Sequence, residues 1–289
     1  MALDPAGQVD PLARLVERNW AAAWASLSRA RATPPTFAEE LDSCLRVFTP
    51  GAPETLLNMV IGYHSANPVT MAEIEGVIAP FRQWRLPFQW WYTRGSEPAG
   101  MRQRLSALGM ESWGGATMMA LPLGTSGPTA LSATRYPSLP GGVTLDRVMT
   151  PEDAEAALAI ICEVFYIPQE PMRRWTTLNP AFDLWIARLG ARPVATLATL
   201  ADGDTTGVYH VATLPGARRR GIAGNLLLQA LRDALAQGSR WATLTATPEA
   251  RALYERLGFR ACGLIEQWMP GFALNSALTG GYDDVLGRV

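Results

Sequence analysis

The chain has 289 residues, 48% of them hydrophobic, with 25 basic and 26 acidic side chains and a formal net charge of −1. That length favours two domains with one core each, and the charge balance excludes a global pull toward nucleic acid or anionic membrane, leaving any basic function to a local patch. Every basic residue is Arg and none is Lys; Cys44, Cys162 and Cys262, with His64 and His210, lack metal-ligand spacing, so no metal site and reduced thiols are expected.

The first ten residues have neither the positive start nor the apolar run of a signal peptide. No stretch reaches the ~18–20 apolar residues of a membrane span, so a cytoplasmic protein is expected. Leu12, Leu15, Val16, Trp20, Trp24 and Leu27 fall at helical spacing, and a second helix is expected from Phe37 to Phe48 after the Pro34-Pro35 break. Thr55 to Tyr63 reads as a buried strand, Thr70 to Trp84 as a helix, Pro87 to Thr93 as an aromatic strand, Pro98 to Leu108 as a helix closed by Gly109, and Ser112 to Leu121 as a strand. Trp90, Trp91 and Tyr92 would suit a stacking platform, but core and inter-domain packing is the reading favoured for them. His64, in a polar turn without an acid or nucleophile beside it, reads as a turn histidine.

Residues 124–142 are rich in Gly, Pro, Ser and Thr and hold no sustained period, the composition of a linker. The expected division is therefore a first domain at 1–123, the linker, a second domain at 143–270 and a tail at 271–289. The second domain alternates cleanly. Strand Val143 to Val148 is followed by helix Pro151 to Phe165 capped by Thr150, a short helix near Pro168 to Thr177, and strands around Phe182 to Leu189 and Val194 to Leu200. Asp202-Gly203 is a hairpin signal before strand Gly207 to Leu214. A helix then buries Ala223, Leu226, Leu227, Ala230, Leu231 and Ala234 and ends at Gly238; strand Trp241 to Thr247, helix Pro248 to Leu257 closed by Gly258, and strand Arg260 to Met269 complete it.

The informative segment joins that strand to that helix. Past a Pro-Gly turn, Arg218, Arg219 and Arg220 bring charge, Gly221 and Gly224 let backbone approach a ligand, and the helix start presents unpaired N–H groups, which together make an anion cradle suited to a pyrophosphate. A strand, crossover helix and parallel strand place that cradle at the carboxyl end of the sheet.

Arg218-Arg-Arg-Gly221-Ile-Ala223 fits R-x-x-G-x-A, and Ala252-Leu-Tyr-Glu-Arg-Leu-Gly-Phe259 follows one helix and one strand later. The pair, over about residues 143–270, resembles the two signatures of the GNAT N-acetyltransferase superfamily. Arg104-Leu-Ser-Ala-Leu-Gly-Met110 echoes the second in form, and no R-x-x-G-x-G/A loop accompanies it. The fold this implies is α/β (α+β): two tandem GNAT-like domains, the first degenerate, each a mixed, mostly antiparallel sheet flanked by helices.

The resemblance implies an acyl-CoA-dependent N-acyltransferase using acetyl-CoA as co-substrate. The amide groups of Arg219, Arg220, Gly221, Ile222, Ala223 and Gly224, with the charge of Arg218, would hold the coenzyme pyrophosphate. The strand Val211, Ala212, Thr213 and Leu214 would splay from its neighbour, pair with the pantetheine arm and polarise the thioester carbonyl. Thr247 stands where the family often has an asparagine that contacts the coenzyme. Tyr254 matches the tyrosine that donates a proton to the departing thiolate, and its other reading is a half-buried helix residue. For the general base the strand offers Tyr209 and His210, of which strand alternation allows at most one to face the acceptor cleft; His210 reads either as that base or as a core histidine. Glu170, Asp183 and Glu266 are further candidates. The partners implied are a coenzyme A thioester and an amine, with no nucleic acid and no membrane, in a monomer or homodimer. The alternative is a catalytically silent acyl-CoA-binding or regulatory protein.

Overall fold

The computed structural model describes residues 10–65, 67–124 and 138–270. They belong to two compact units, Met1–Met118 with Cys262–Val289, and Met119–Ala261. This differs from the division expected at residues 124–142. The chain changes unit within two strands, which carry no compositional mark of such a change; residues 125–137 and 271–289 lie outside the described ones.

In the first unit the elements run α1 (Pro11–Ala25), β1 (Phe37–Glu40), β2 (Leu45–Phe48), β3 (Met59–Ile61), α2 (Met71–Gln83), β4 (Gln89–Thr93), α3 (Met101–Ala107) and β5 (Met110–Pro122), which begins here. The last strand of the chain, β11 (Arg260–Pro270), ends here, and the sheet order is β1-β2-β3-β4-β11-β5. The helix expected over Phe37–Phe48 is instead an antiparallel pair, with Phe37 opposite Phe48 and Glu39 opposite Arg46. Its apolar residues mimic helical spacing, but the strands bring the Phe37 and Phe48 rings to 5.3 Å and Arg46 into an ion pair with Glu39. The strand expected over Thr55–Tyr63 is shortened to β3 by a single helical turn at Thr55–Leu57. Buried Asn58 pins that turn, accepting from the Thr49 N–H and donating to the Ala52 and Glu54 carbonyls, each at 2.9 Å.

Strands β3 and β4 are parallel, joined by a crossover through α2, and β11 pairs antiparallel with β4. Trp90 and Tyr92 are buried in this unit's core with Phe81, Leu105 and Trp268, and the Trp268 indole N–H donates to the Tyr92 hydroxyl at 3.0 Å. Trp91 is buried too, with its ring 4.7 Å from that of Trp20, so none of the three aromatics is a free stacking platform.

The second unit comprises β6 (Val143–Arg147), α4 (Pro151–Phe165), α5 (Gln169–Trp175), β7 (Asp183–Leu189), β8 (Arg192–Asp202), β9 (Thr205–Thr213), α6 (Ile222–Ala236), β10 (Trp241–Ala246) and α7 (Pro248–Arg256), and its order is β5-β10-β9-β8-β7-β6. Helix α4 starts where the sequence indicates. Thr150 accepts from the Asp153 N–H, and Pro151 occupies the first turn, where no amide is needed. Strands β6 to β9 form an antiparallel meander, and β9 then crosses through α6 to the parallel β10. The face of α6 that carries Leu226, Leu227, Ala230, Leu231 and Ala234 is buried against Trp185, Leu197, Val208 and Leu244. Each such leucine is worth about 2–5 kcal/mol against truncation to Ala, so the helix that carries the cradle is held rigidly on its sheet.

Candidate active site

Strand β9 is irregular in two ways, and both shape the site. Ala198 pairs with Tyr209 and Thr196 with Ala212, so Leu197 stands opposite two residues, His210 and Val211. This is a β-bulge, and His210 occupies it with φ +52°. A left-handed backbone costs a non-glycine residue roughly 1–2 kcal/mol, a strain that native structures concentrate at functional sites. Second, the registered pairs between β9 and β10 run only from Thr205–Trp241 to Gly207–Thr243, although β9 continues to Thr213 and β10 to Ala246. Beyond Gly207 the strands part, leaving the β10-facing edge of Val208–Thr213 outside the ladder.

The bulge changes which side chains share a face. Simple alternation would send Tyr209 and His210 to opposite sides. Instead the Tyr209 ring lies edge-on to Phe182 with centroids at 5.4 Å, the His210 ring edge-on to Trp175 at 5.8 Å, Trp175 and Phe182 are 5.6 Å apart, and Tyr209 and His210 are 6.4 Å apart. The four rings close a circuit. Tyr209 and His210 therefore turn to the same Trp175–Phe182 pair, against the simple alternation expected of the strand, because the extra residue resets the pleat. Trp175 and Phe182 have no motif of their own; nothing in the sequence links the end of α5 and the start of β7 to β9.

Burial lowers the His210 imidazole from its ordinary value to about 4, so the ring is neutral at pH 7. Burial, with a contribution from Asp202, raises the Tyr209 phenol well above its usual range. His210 Nε2, Thr213 Oγ1 and Thr177 Oγ1 are buried without a hydrogen-bond partner, a condition that native proteins seldom leave unexplained.

The cradle follows directly. One helical turn at Pro215–Ala217 leads to extended Arg218, left-handed Arg219 (φ +63°) and left-handed Gly221 (φ +75°), which is the N-cap of α6 and receives no side-chain cap. The three arginines are exposed. Arg218 Nε donates to the Thr213 carbonyl at 3.0 Å, tying the loop back to β9, and the Asn225 side chain donates to the Gly221 carbonyl at 2.9 Å. Neither tie was marked by the motif, although an asparagine one turn into a helix is a visible signal for the second. Buried Ile222 and Gly224 and half-buried Ala223 anchor the helix start, whose first-turn amides have no partner within the helix.

Tyr254 on α7 is buried in the core cluster that also holds Ala217, Ile222, Ala246 and Leu257, and its ring meets Phe259 edge-on at 5.9 Å. Burial pushes its phenol up, which keeps it protonated and able to donate. Exposed Thr247 caps α7 through its carbonyl, which accepts from the Ala250 and Arg251 amides. The further carboxylates have other occupations or positions. Asp183 pairs with Arg147, Glu170 is exposed on α5, and Glu266 lies buried in the first unit, where Arg94 and Arg102 hold it at 3.0 and 2.7 Å. His64 is exposed in its turn, with Nδ1 2.9 Å from the Gly62 carbonyl. Among the described residues no group of three or more His, Cys, Asp or Glu is placed to hold a metal ion, and no helix is long and apolar enough to cross a membrane.

The sequence model of the acetyltransferase (GNAT) domain matches residues 180–261, from just before β7 into β11. No curated protein matches the chain in sequence. Among solved structures, the chain is similar to a GCN5-related N-acetyltransferase from Kribbella flavida (TM-score 0.65, 21% identity, 89% of this chain and 96% of that one). It is also similar to a tandem GNAT protein from the clavulanic acid biosynthesis pathway (0.59, 14%, 88% and 95%) and to a GCN5-related N-acetyltransferase from Sphaerobacter thermophilus (0.57, 19%, 80% and 82%). Likeness at such identities speaks to the fold: two tandem GNAT-like domains.

Proposed function

We propose that this chain, whose residues 180–261 form a GNAT acetyltransferase domain, is an acyl-CoA-dependent N-acyltransferase that moves acetyl from acetyl-CoA to an amine by direct attack. The observation that carries this reading is the uncapped start of α6 at Gly221 beside the parted strands β9 and β10. One supplies amides and positive charge for a pyrophosphate; the other supplies strand edge outside the β9–β10 ladder for the amide-rich arm of the coenzyme. Val211, Ala212, Thr213 and Leu214 line the arm and polarise the thioester carbonyl, while Arg218 to Gly224 hold the diphosphate. Exposed Thr247 sits at the first turn of α7 to meet the coenzyme. A cytoplasmic setting, where coenzyme A thioesters are available, belongs to the same reading.

The chemistry requires no enzyme nucleophile. The amine lone pair forms the N–C bond to the acyl carbon, the C–S bond breaks, one proton leaves the amine nitrogen and one reaches sulfur, giving an amide and free coenzyme A. His210, neutral at pH 7, accepts the amine proton through Nε2 and passes it to solvent; Tyr254, kept protonated by burial, donates to the departing sulfur. Thiol release from acetyl-CoA with a broad amine panel tests the reading, and Tyr254→Phe is expected to lower kcat about tenfold to a hundredfold with coenzyme affinity unchanged. Unchanged kcat would reject the acid role, and coenzyme binding without thiol release for any amine would leave a silent binding protein.

A further inference from the structure

Arg218 ties the cradle loop to the strand that precedes it. Its Nε–H donates to the Thr213 carbonyl at 3.0 Å, and the direction of that carbonyl gives the bond its meaning. Past the bulge, β9 stays in register with β8, Thr196 opposite Ala212 and Ala195 opposite Thr213, and the Leu214 N–H donates to the Val194 carbonyl at 2.9 Å. Successive residues of a strand turn their backbone groups to opposite edges. Because Leu214 is turned to β8, Thr213 turns its carbonyl to the other edge, the one that β10 leaves beyond Gly207. The Arg218 guanidinium therefore stands at the mouth of the gap between the parted strands.

The connection between the two residues is short. In the helical turn at Pro215–Ala217 the Ala217 N–H donates to the Leu214 carbonyl and the Arg218 N–H to the Pro215 carbonyl, which brings Arg218 back to the strand end just left. Water would satisfy an exposed carbonyl equally well, so ordering a long side chain here does little for the fold by itself. Only Nε is engaged. Arg218 enters no ion pair among the described residues, and the terminal nitrogens of its planar fork remain for another partner. Thr213 carries a second open group: its hydroxyl is buried without a partner, a condition that a bound ligand would explain.

We propose that Arg218 is a positioning residue for the coenzyme arm: Nε holds the end of β9 while the terminal nitrogens face the diphosphate, so that one rigid fork sets the spacing between the diphosphate on α6 and the thioester beside the bulge. This rests on the acyltransferase reading and deepens it. A planar guanidinium bonds in two directions at a fixed spacing, whereas an ammonium is a single point on a flexible stem. With the clamp in place, cradle and strand end are preorganised for the two linked parts of the ligand. Without it they move independently, and the gain from that preorganisation is lost.

Calorimetry with ADP, which carries a diphosphate and no arm, and with acetyl-CoA, which carries both, tests the inference on the full chain and its Arg218→Lys and Arg218→Gln forms. Lysine keeps the charge and loses Nε; glutamine keeps a donor at the atom after Cδ, where Nε stands, and loses the charge. Arg218→Lys should hold ADP within about twofold and weaken acetyl-CoA by about tenfold, whereas Arg218→Gln should weaken both by the same factor, about three- to tenfold. Hydrogen exchange over residues 208–214 of the free protein reads the clamp directly, and should quicken in Arg218→Lys and not in Arg218→Gln. Equal losses on the two ligands or unaltered exchange in Arg218→Lys, or a greater loss on acetyl-CoA than on ADP in Arg218→Gln, would overturn the inference by reducing Arg218 to a charge. So would a wild type that binds acetyl-CoA but not millimolar ADP, since the diphosphate would then have no seat of its own to be spaced from the arm. A wild type that binds neither ligand would instead remove the acyltransferase reading on which the inference stands.

Discussion

The molecule contains the same supersecondary unit twice, and the two copies end differently. In the first unit β3 crosses through α2 to parallel β4; in the second β9 crosses through α6 to parallel β10. The start of α2 is closed by its own side chains: Thr70 Oγ1 accepts from the Glu73 N–H, and the Glu73 carboxylate accepts from the Thr70 N–H and hydroxyl. Those hydrogen bonds hold the Glu73 carboxyl below its usual value, so an anion already occupies this helix end at neutral pH. The start of α6 has no side-chain cap and three exposed arginines instead. The strands differ in the same sense. Pairing of β3 with β4 extends past the strand end, where the Gly62 N–H donates to the Trp91 carbonyl, whereas β9 leaves β10 at Gly207. Where the first unit has Gly62 at a left-handed position, the second has strained His210. On the proposed reading, a coenzyme site on this scaffold uses an uncapped helix and a parted strand pair together, and among the described residues the second unit combines the two.

The largest effect expected from breaking this contrast is at Gly221. Gly221→Trp places a side chain in the cradle and forces an L-residue to φ +75°; acetyl-CoA affinity should fall by about a hundredfold or more, while far-UV circular dichroism stays native. Retained affinity would mean that the diphosphate does not sit on α6.

The strained position comes next. Because the folded pKa of His210 is lowered to about 4 from an ordinary 6.5, the unfolded chain binds more protons between those values. The His210 contribution is therefore fully present above about pH 6.5 and is lost as pH falls toward 4, by up to roughly 3 kcal/mol. His210→Phe should flatten that part of the stability profile measured by urea unfolding at several pH values, and an unchanged slope would contradict the assignment. The smallest effect is in the first unit. Thr70→Ala should cost about 1 kcal/mol of stability and create no coenzyme site, because β3 and β4 remain paired.

Much of this contrast is visible in the residues themselves. The cradle and α6 follow from Pro-Gly, three arginines and a clean apolar stripe, and the bounds of α4 follow from Thr150 and Pro151. The Thr70–Glu73 pair is a readable capping box, but its meaning emerges only once α2 is seen to be the counterpart of α6. Other features leave no local trace. Phe37, Leu41, Leu45 and Phe48 fit a helical period equally well, and only the cross-strand partners of β1 and β2 decide against it. No residue preference announces a bulge at a histidine, so the shared face of Tyr209 and His210, and with it the ring circuit, is hidden from strand alternation. The change of unit inside β5 and β11 is hidden for a similar reason, since neither strand has a glycine-, proline- or serine-rich break at the point where the units divide.

The most direct measurement is the stoichiometry of acetyl-CoA binding by isothermal titration calorimetry on the full chain, its Gly221→Trp form and its Thr70→Ala form. The account predicts a single site per chain, lost in Gly221→Trp and intact in Thr70→Ala. Two sites per chain, or binding that survives Gly221→Trp and disappears with Thr70→Ala, would contradict it.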